Sequence, residues 1–342
     1  MMNVISTIGS HCSLQILKGA KDEGFKTLLV CKKEREDLYK RFKFIDEFIL
    51  VDDFIQILDQ NVLDKFQKND TILVPHGTLI SNMNSQQIEN MKIPFFGNKW
   101  ILRWESDRKL KERLMKESKL ETPNSVNGPN DINSMVIVKL HGAAGGKGYF
   151  LAWDKKSFME GADKLKNQGL IKDENDLYIQ EYVFGVPVYL QYFYSPLKNN
   201  VEFMGIDRRY ESDVDGLGRI PSRHQLKIDV EPSYTVVGNI PIVLRESLLN
   251  EVYKMGERFV ETSKRFVEPG MVGPFCIEGV YDKEGRFISF EFSARIVAGT
   301  NLYIDGSPYT ALTYDEPMST GRRLAREIKN ANNSNELSKI VT

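Results

Sequence analysis

Cysteine is scarce in this sequence: Cys12, Cys31 and Cys276 are the only three, far apart and without a C-x-x-C pair. An odd, scattered set argues against a disulfide framework and against a zinc site, and it fits a reducing compartment. An excess of charge of one sign is lacking as well, since 46 Lys and Arg nearly cancel 47 Asp and Glu to leave a formal net charge of −1. With no polyelectrolyte field, neither nucleic acid nor an anionic membrane is an expected partner, and small-molecule chemistry is the better starting point. No apolar run approaches the ~20 residues needed to cross a bilayer, and residues 1–8 are too short and too lightly charged for a signal peptide. A cytoplasmic protein is expected. Internal repeats and low-complexity tracts are also missing, so the 342 residues read as two or three ordinary compact units, each of ~100 to 200 residues.

What is present begins with an alternation of strand and helix. Residues 4–8 form an apolar run, residues 13–23 have helical spacing, and Lys26-Thr-Leu-Leu-Val-Cys31, Phe48-Ile-Leu-Val51 and Thr71-Ile-Leu-Val74 are candidate parallel strands. An open α/β sheet over residues 1–98 is expected. Ligands of such sheets bind beyond the carboxyl ends of the strands, which puts Ser10-His11 and Pro75-His-Gly-Thr78 on one functional edge. Residues 100–118 read as one charged helix, part of a helical linker over 99–126. A smaller unit over 127–184 holds the strands Val136-Ile-Val-Lys-Leu140 and Tyr149-Phe-Leu-Ala152, a helix over 154–168 and a closing strand over 177–183. The remainder, 185–342, reads as a larger α+β domain that ends in a helix over 320–331.

Three features carry chemistry. In Lys139-Leu-His-Gly-Ala-Ala-Gly-Gly-Lys-Gly148 a strand supplies one lysine and a glycine hairpin another, with backbone N–H groups free to approach phosphate oxygens. It is no Walker loop, because Gly148 stands where Ser or Thr is needed, and no dinucleotide turn, because a strand follows. Taken alone, a flexible hairpin with a solvated lysine explains it equally well. Next, Phe275-Cys-Ile-Glu-Gly-Val-Tyr281, the turn Asp282-Lys-Glu-Gly285 and Arg286-Phe-Ile-Ser-Phe-Glu-Phe-Ser-Ala-Arg295 form a hairpin signature. With an even loop, Glu278 and Glu291 share a face, while Ile288, Phe290 and Phe292 point to the core; an odd loop would separate the carboxylates. No cationic neighbour is visible in either strand, so two converging carboxylates call for a cation, and hard oxygen ligands suit Mg²⁺ held partly through phosphates. A solvent-facing pair is the plain alternative. Third, Tyr178-Ile-Gln-Glu-Tyr-Val183 is an apolar strand that turns polar before Phe184-Gly185, suitable as a hinge, while taken by itself an ordinary strand between domains is the favoured explanation.

In this order the motifs resemble the ATP-grasp superfamily. Over nearly the whole chain, Gly9-Ser-His-Cys-Ser-Leu-Gln-Ile-Leu-Lys-Gly-Ala20, Val74-Pro-His-Gly-Thr78, Gly205-Ile-Asp-Arg-Arg-Tyr210, Val237-Gly-Asn-Ile-Pro241 and Ser293-Ala-Arg-Ile-Val-Ala-Gly-Thr300 look like the archaeal formate-dependent 5-formaminoimidazole-4-carboxamide ribonucleotide synthetases (the PurP family). The resemblance implies an ATP-grasp architecture with an N-terminal open parallel-sheet domain, the 127–184 unit being the lid and 185–342 carrying the metal site. It implies a carbon–nitrogen ligase of purine biosynthesis that turns formate and ATP into formyl phosphate. The amine of 5-aminoimidazole-4-carboxamide ribonucleotide (AICAR) then attacks it. It makes Lys139, Gly145, Gly146, Lys147, Gly148, Gln180, Glu181, Val183 and Glu211 the ATP side, Glu278 and Glu291 the ligands of Mg²⁺ or Mn²⁺, and His11, Thr78 and Asn239 the AICAR side. Serine is usual in the family where this chain has Thr78, so an extra methyl must fit. Arg295 is the candidate to stabilise the transferring phosphoryl oxygens, and a homo-oligomer is implied. A paralogous ligase with another carboxylate or amine would carry the same motifs. A protein kinase would need H-R-D and D-F-G sequences that are missing, and a binding-only module would not need the carboxylate pair.

Overall fold

The computed structural model describes residues 1–140, 149–228 and 235–342. Three sheets organise the chain. The first is parallel, in the order β3-β2-β1-β4, built from β1 (Val4–Ile8), β2 (Lys26–Lys32), β3 (Glu47–Val51) and β4 (Thr71–Leu73). The apolar runs form these strands because β1, with helices on its faces, is buried along its whole length. A second sheet, β5-β8-β6-β7, comprises β5 (Ser125–Val126), β6 (Val136–Leu140), β7 (Tyr149–Ala152) and β8 (Leu177–Glu181), packed on the Lys155–Asn167 helix. Asp154 caps that helix by accepting from Ser157 N. The third is antiparallel, β11-β10-β9-β12-β13, with β9 (Val186–Ser195), β10 (Asn200–Glu211), β11 (Val236–Pro241), β12 (Gly273–Tyr281) and β13 (Phe287–Ser293). Its core face carries Leu190, Tyr192, Ile277 and Phe292 against Phe259 of the Glu246–Phe266 helix. No described helix is long and apolar enough to cross a membrane.

Two expectations change here. Residues 100–118 form two helices, Ile101–Ser106 and Arg108–Glu117, because Asp107 leaves the helical region and caps the second by accepting from Leu110 N at 3.0 Å. The strand expected over 177–183 stops at Glu181.

The N-terminal and C-terminal ends of the chain are locked together. The Ser13–Asp22 helix crosses the Thr320–Ser334 helix at Gly19 and Gly321 with backbone against backbone; a Cβ on either would overlap main-chain atoms of Arg322 or Gln15. Gln15 adds two bonds, donating to Thr300 O and accepting from Gly321 N. Because neither backbone can yield, Gly321→Ala is expected to lower stability by about 1–3 kcal/mol, as overpacking does. Denaturant unfolding monitored by circular dichroism measures this, and an unchanged midpoint would refute the close crossing. The crossing matters for function because it seats the residues after β1 beside the chain that follows β13.

Candidate active site

One face of the third sheet gathers the charged residues. Strand pairing sets Asn239 opposite Arg209, Asp207 opposite Tyr189, Tyr189 opposite Glu278, and Glu278 opposite Glu291, so a continuous polar row crosses all five strands. The two carboxylates converge as expected, but by a different route. The hairpin closes at Tyr281 and Phe287 through an odd loop, which alone would put the glutamates on opposite faces, and a bulge beside Glu278 then restores the match. The bulge also reassigns the apolar residues. Phe287 and Phe292 enter the core, Ile288 lies on the carboxylate side opposite Val280, and the Phe290 ring comes within 5.7 Å of the Lys139 ammonium.

The carboxylates do not lack cationic neighbours; these arrive from elements that are distant in sequence. Arg209 donates to Glu278 Oε2 at 3.0 Å while lying 3.9 Å over the Tyr189 ring, and Ser293 Oγ donates to Glu278 Oε1 at 3.0 Å. Lys111, on the Arg108–Glu117 helix, donates to Glu291 Oε1 at 2.5 Å. Burial favours the neutral form of Glu291, but Lys111, Arg209 and Lys139 outweigh it and the carboxyl sits below its usual range. The same crowd acts on Lys139 in the opposite sense: burial first, then Arg108, brings its ammonium down to about 8. Lys139 also donates to Gln180 Oε1 at 3.2 Å, so these two expected ATP-side residues are in contact.

At the edge of the parallel sheet, His11 and His76 stack with ring centroids 5.8 Å apart. His76 is fully buried and neutral in a fixed tautomer, Nε2 donating to Ile8 O at 2.8 Å and Nδ1 accepting from Thr78 N at 3.2 Å. Desolvation, with His11 and Arg295 nearby, takes it down to about 3. His11 adopts a left-handed backbone (φ 54°), held by Asn301 donating to its carbonyl at 3.0 Å. Its ring keeps an opening to solvent, yet desolvation by partial burial and the guanidiniums of Arg295 and Arg209 lower its pKa to about 4. Gly77 lies against His11 and Arg295: a Cβ there would lie 2.9 Å from His11 Nε2 and 3.4 Å from Arg295 Cζ, so a side chain at this position would push the His11 ring aside.

Arg295 is anchored by a residue the sequence did not single out. Glu105 pairs with its guanidinium at 3.0 Å and also accepts from Ala294 N at 2.8 Å. Its carboxyl is pushed upward by burial, which Arg295 only partly offsets. The Nε of Arg295 is buried without a partner among the described residues, a donor left for something else. A signal for Glu105 did exist: with Ile101 and Leu102 it falls on the buried face of its helix, where a carboxylate is out of place. Asp207 and Arg209 were likewise legible through the period of two that puts them on one strand face with Glu211.

Other expected residues are placed as follows. Asn239 donates to Asp207 at 2.7 Å, and Glu211 lies at the end of β10, its carboxyl raised by burial. Thr78 is half-buried beside His76. The Glu181 carboxylate turns to Asn124 Nδ2 at 2.8 Å, and Val183 is half-buried just past β8. Gly145, Gly146, Lys147 and Gly148 lie outside the described residues.

Comparison with known proteins identifies the fold and the family. Residues 157–342 match a domain of unknown function (DUF1297) and residues 5–126 a protein of unknown function (DUF1246). The chain is 59% identical over 341 residues to the 5-formaminoimidazole-4-carboxamide-1-(beta)-D-ribofuranosyl 5'-monophosphate synthetase of Nitrosopumilus maritimus, covering 100% of both chains. To that of Pyrococcus horikoshii it is 50% identical over 338 residues, 99% of each. Among solved structures, an IMP biosynthesis protein PurP from Thermococcus kodakaraensis is similar at a TM-score of 0.78 and 31% identity, over 99% of this chain and 100% of that one. The ADP complex of an N5-carboxyaminoimidazole ribonucleotide synthetase shares the fold alone, at a TM-score of 0.69 and 12% identity over 96% of this chain and 77% of that one. The architecture is thus the ATP-grasp fold with an N-terminal parallel sheet. The chain belongs to the family of 5-formaminoimidazole-4-carboxamide-1-(beta)-D-ribofuranosyl 5'-monophosphate synthetases.

Proposed function

We propose that this chain uses ATP to join formate to the amine of AICAR, giving the formamino nucleotide, ADP and phosphate. The observation that carries the reading is the polar row on the third sheet, where Asn239, Arg209, Glu278 and Glu291 lie side by side with Lys139 beyond one end and His11 and Arg295 alongside. Formate has no leaving group, so phosphorylation must supply one, and cationic groups that meet the migrating phosphoryl lower the barrier. Lys139 and Arg295 take that role, with Arg295 Nε as the uncommitted donor. The ATP side is completed by Gln180, Val183 and Glu211, with the glycine loop.

Glu278 and Glu291 suit Mg²⁺ or Mn²⁺. Both are hard oxygen donors on directly paired residues, and no cluster of three ligating side chains occurs among the described residues, so such a cation would complete its coordination with phosphate and water. Bound there, the metal would neutralise phosphate charge as the γ-phosphoryl moves.

On the AICAR side we assign His11, Thr78 and Asn239. With its pKa held near 4, His11 is neutral at physiological pH and able to accept a proton or a hydrogen bond from the attacking amine.

The test is ADP release with ATP, Mg²⁺, formate and AICAR, each omitted in turn, with the product mass read alongside. Release that depends on both formate and AICAR is expected; release indifferent to AICAR would move the chain to another carboxylate–amine pair. A pH dependence follows from Lys139, whose charge is lost above about 8. As pH rises from 7 to 9 its protonated fraction falls, so KM for ATP should rise roughly fivefold or more in the native enzyme. In Lys139→Arg, which stays charged, that rise should be absent.

A further inference from the structure

Asp207 lies at the centre of a buried polar knot that the mechanism above leaves unused. Its Oδ2 accepts from Asn239 Nδ2 at 2.7 Å and its Oδ1 from Gln191 Nε2, and both Asp207 and Gln191 are 1% exposed. Gly299 closes over the same carboxylate, where a Cβ would overlap all its carboxyl atoms. Nothing in this packing lets the group turn. Burial, opposed by Asn239 and Gln191, raises its pKa only to about 6, so it is ionised at neutral pH.

An ionised carboxylate can only accept hydrogen bonds. It therefore dictates which end of each neighbouring amide faces it. Gln191 obeys at a cost, since its Oε1 is left buried without a partner among the described residues. Asn239, half-buried at the cleft, must turn its nitrogen inward, which leaves its carbonyl oxygen on the open side.

We propose that Asp207 is a positioning residue for the nucleotide: by fixing the Asn239 amide it presents an acceptor to an N–H donor of the heterocycle, the amine or the carboxamide, and not a donor to the phosphate. The inference rests on AICAR being the substrate. It also assigns an orientation, with the base and not the phosphate over β11.

The test compares wild type, Asp207→Asn and the swap that combines Asp207→Asn with Asn239→Asp, reading KM for AICAR, KM for ATP and the melting temperature. In Asp207→Asn the amide at 239 is free to flip, and KM for AICAR should rise roughly tenfold while KM for ATP stays within about twofold. In the swap, Asn at 207 still accepts from Gln191 and now donates to Asp at 239, so the bond is rebuilt with an acceptor oxygen toward the cleft. KM for AICAR should then return to within about threefold of wild type. An unchanged KM for AICAR in Asp207→Asn, an equal rise for both substrates, or a well-folded swap no better than Asp207→Asn would overturn the proposal. If the swap melts early, the split between the two KM values in Asp207→Asn decides alone. A wild type whose turnover ignores AICAR would fail the substrate reading before any variant is made.

Discussion

Glu291→Gln is expected to lower kcat for ADP release by roughly 10² to 10³-fold with little loss of stability. The two effects separate because of where the side chain sits. It is 40% open to solvent and hydrogen-bonds one lysine, with Arg209 and Lys139 acting on it only through their charge, so the Lys111 ion pair contributes at most about 1 kcal/mol to folding. On the proposed reading its value lies in the charge it would offer a cation beside the phosphates. Glu278→Gln should lose as much activity but also fold less well. That carboxylate is 5% exposed and holds both Arg209 and Ser293, and hydrogen bonds to charged groups are worth about 1.5–3 kcal/mol each. Both are read by ADP release across a Mg²⁺ titration together with urea unfolding. A Glu291→Gln enzyme retaining half its turnover at the same Mg²⁺ requirement would remove the carboxylate pair from the metal site.

The second large effect is at Arg295. Arg295→Ala should cost roughly 10² to 10³-fold in kcat, as losing a preorganised cationic donor does, and destabilise the fold by about 3–5 kcal/mol because it strands Glu105. Glu105 is buried, and its carboxyl already titrates above its ordinary range; removing the guanidinium raises it further. A folded-state pKa above the unfolded one means that the native state holds more protons in the window between them. Stability there falls as pH rises and recovers as pH drops. Arg295→Ala should accordingly become more stable on going from pH 7 to pH 5, whereas the double variant with Glu105→Gln should lose that slope and regain most of the stability at pH 7. The double variant should remain inactive. Activity returning with stability would make Arg295 merely structural.

How much of this was readable beforehand depends on the range over which each feature is set. The parallel strands β1 to β4, the β6–β7 hairpin and the Glu278 and Glu291 strands follow from apolar periods of a few residues, and periodicity is local. The break at Asp107 was missed because a helical charge pattern spans it and only the cap reveals it. The face assignment of Ile288 and Phe290 failed for a related reason: a bulge inserts a residue without any change in composition.

The sequence by itself therefore determined the succession of strands over residues 1–98 and 127–184, the carboxylate hairpin, the charge balance, and the residue types at the glycine loop, the hairpin and the sheet edge, since backbone propensity and side-chain period act over a single element. Tertiary structure alone decided that Lys111 answers Glu291 from 180 positions away and that Glu105 holds the Arg295 strand end from 189 positions away. It also decided that His11 and Arg295 both come up against Gly77. Those contacts are set by how closely whole elements can approach, and a packing distance between distant elements leaves no periodic trace along the chain.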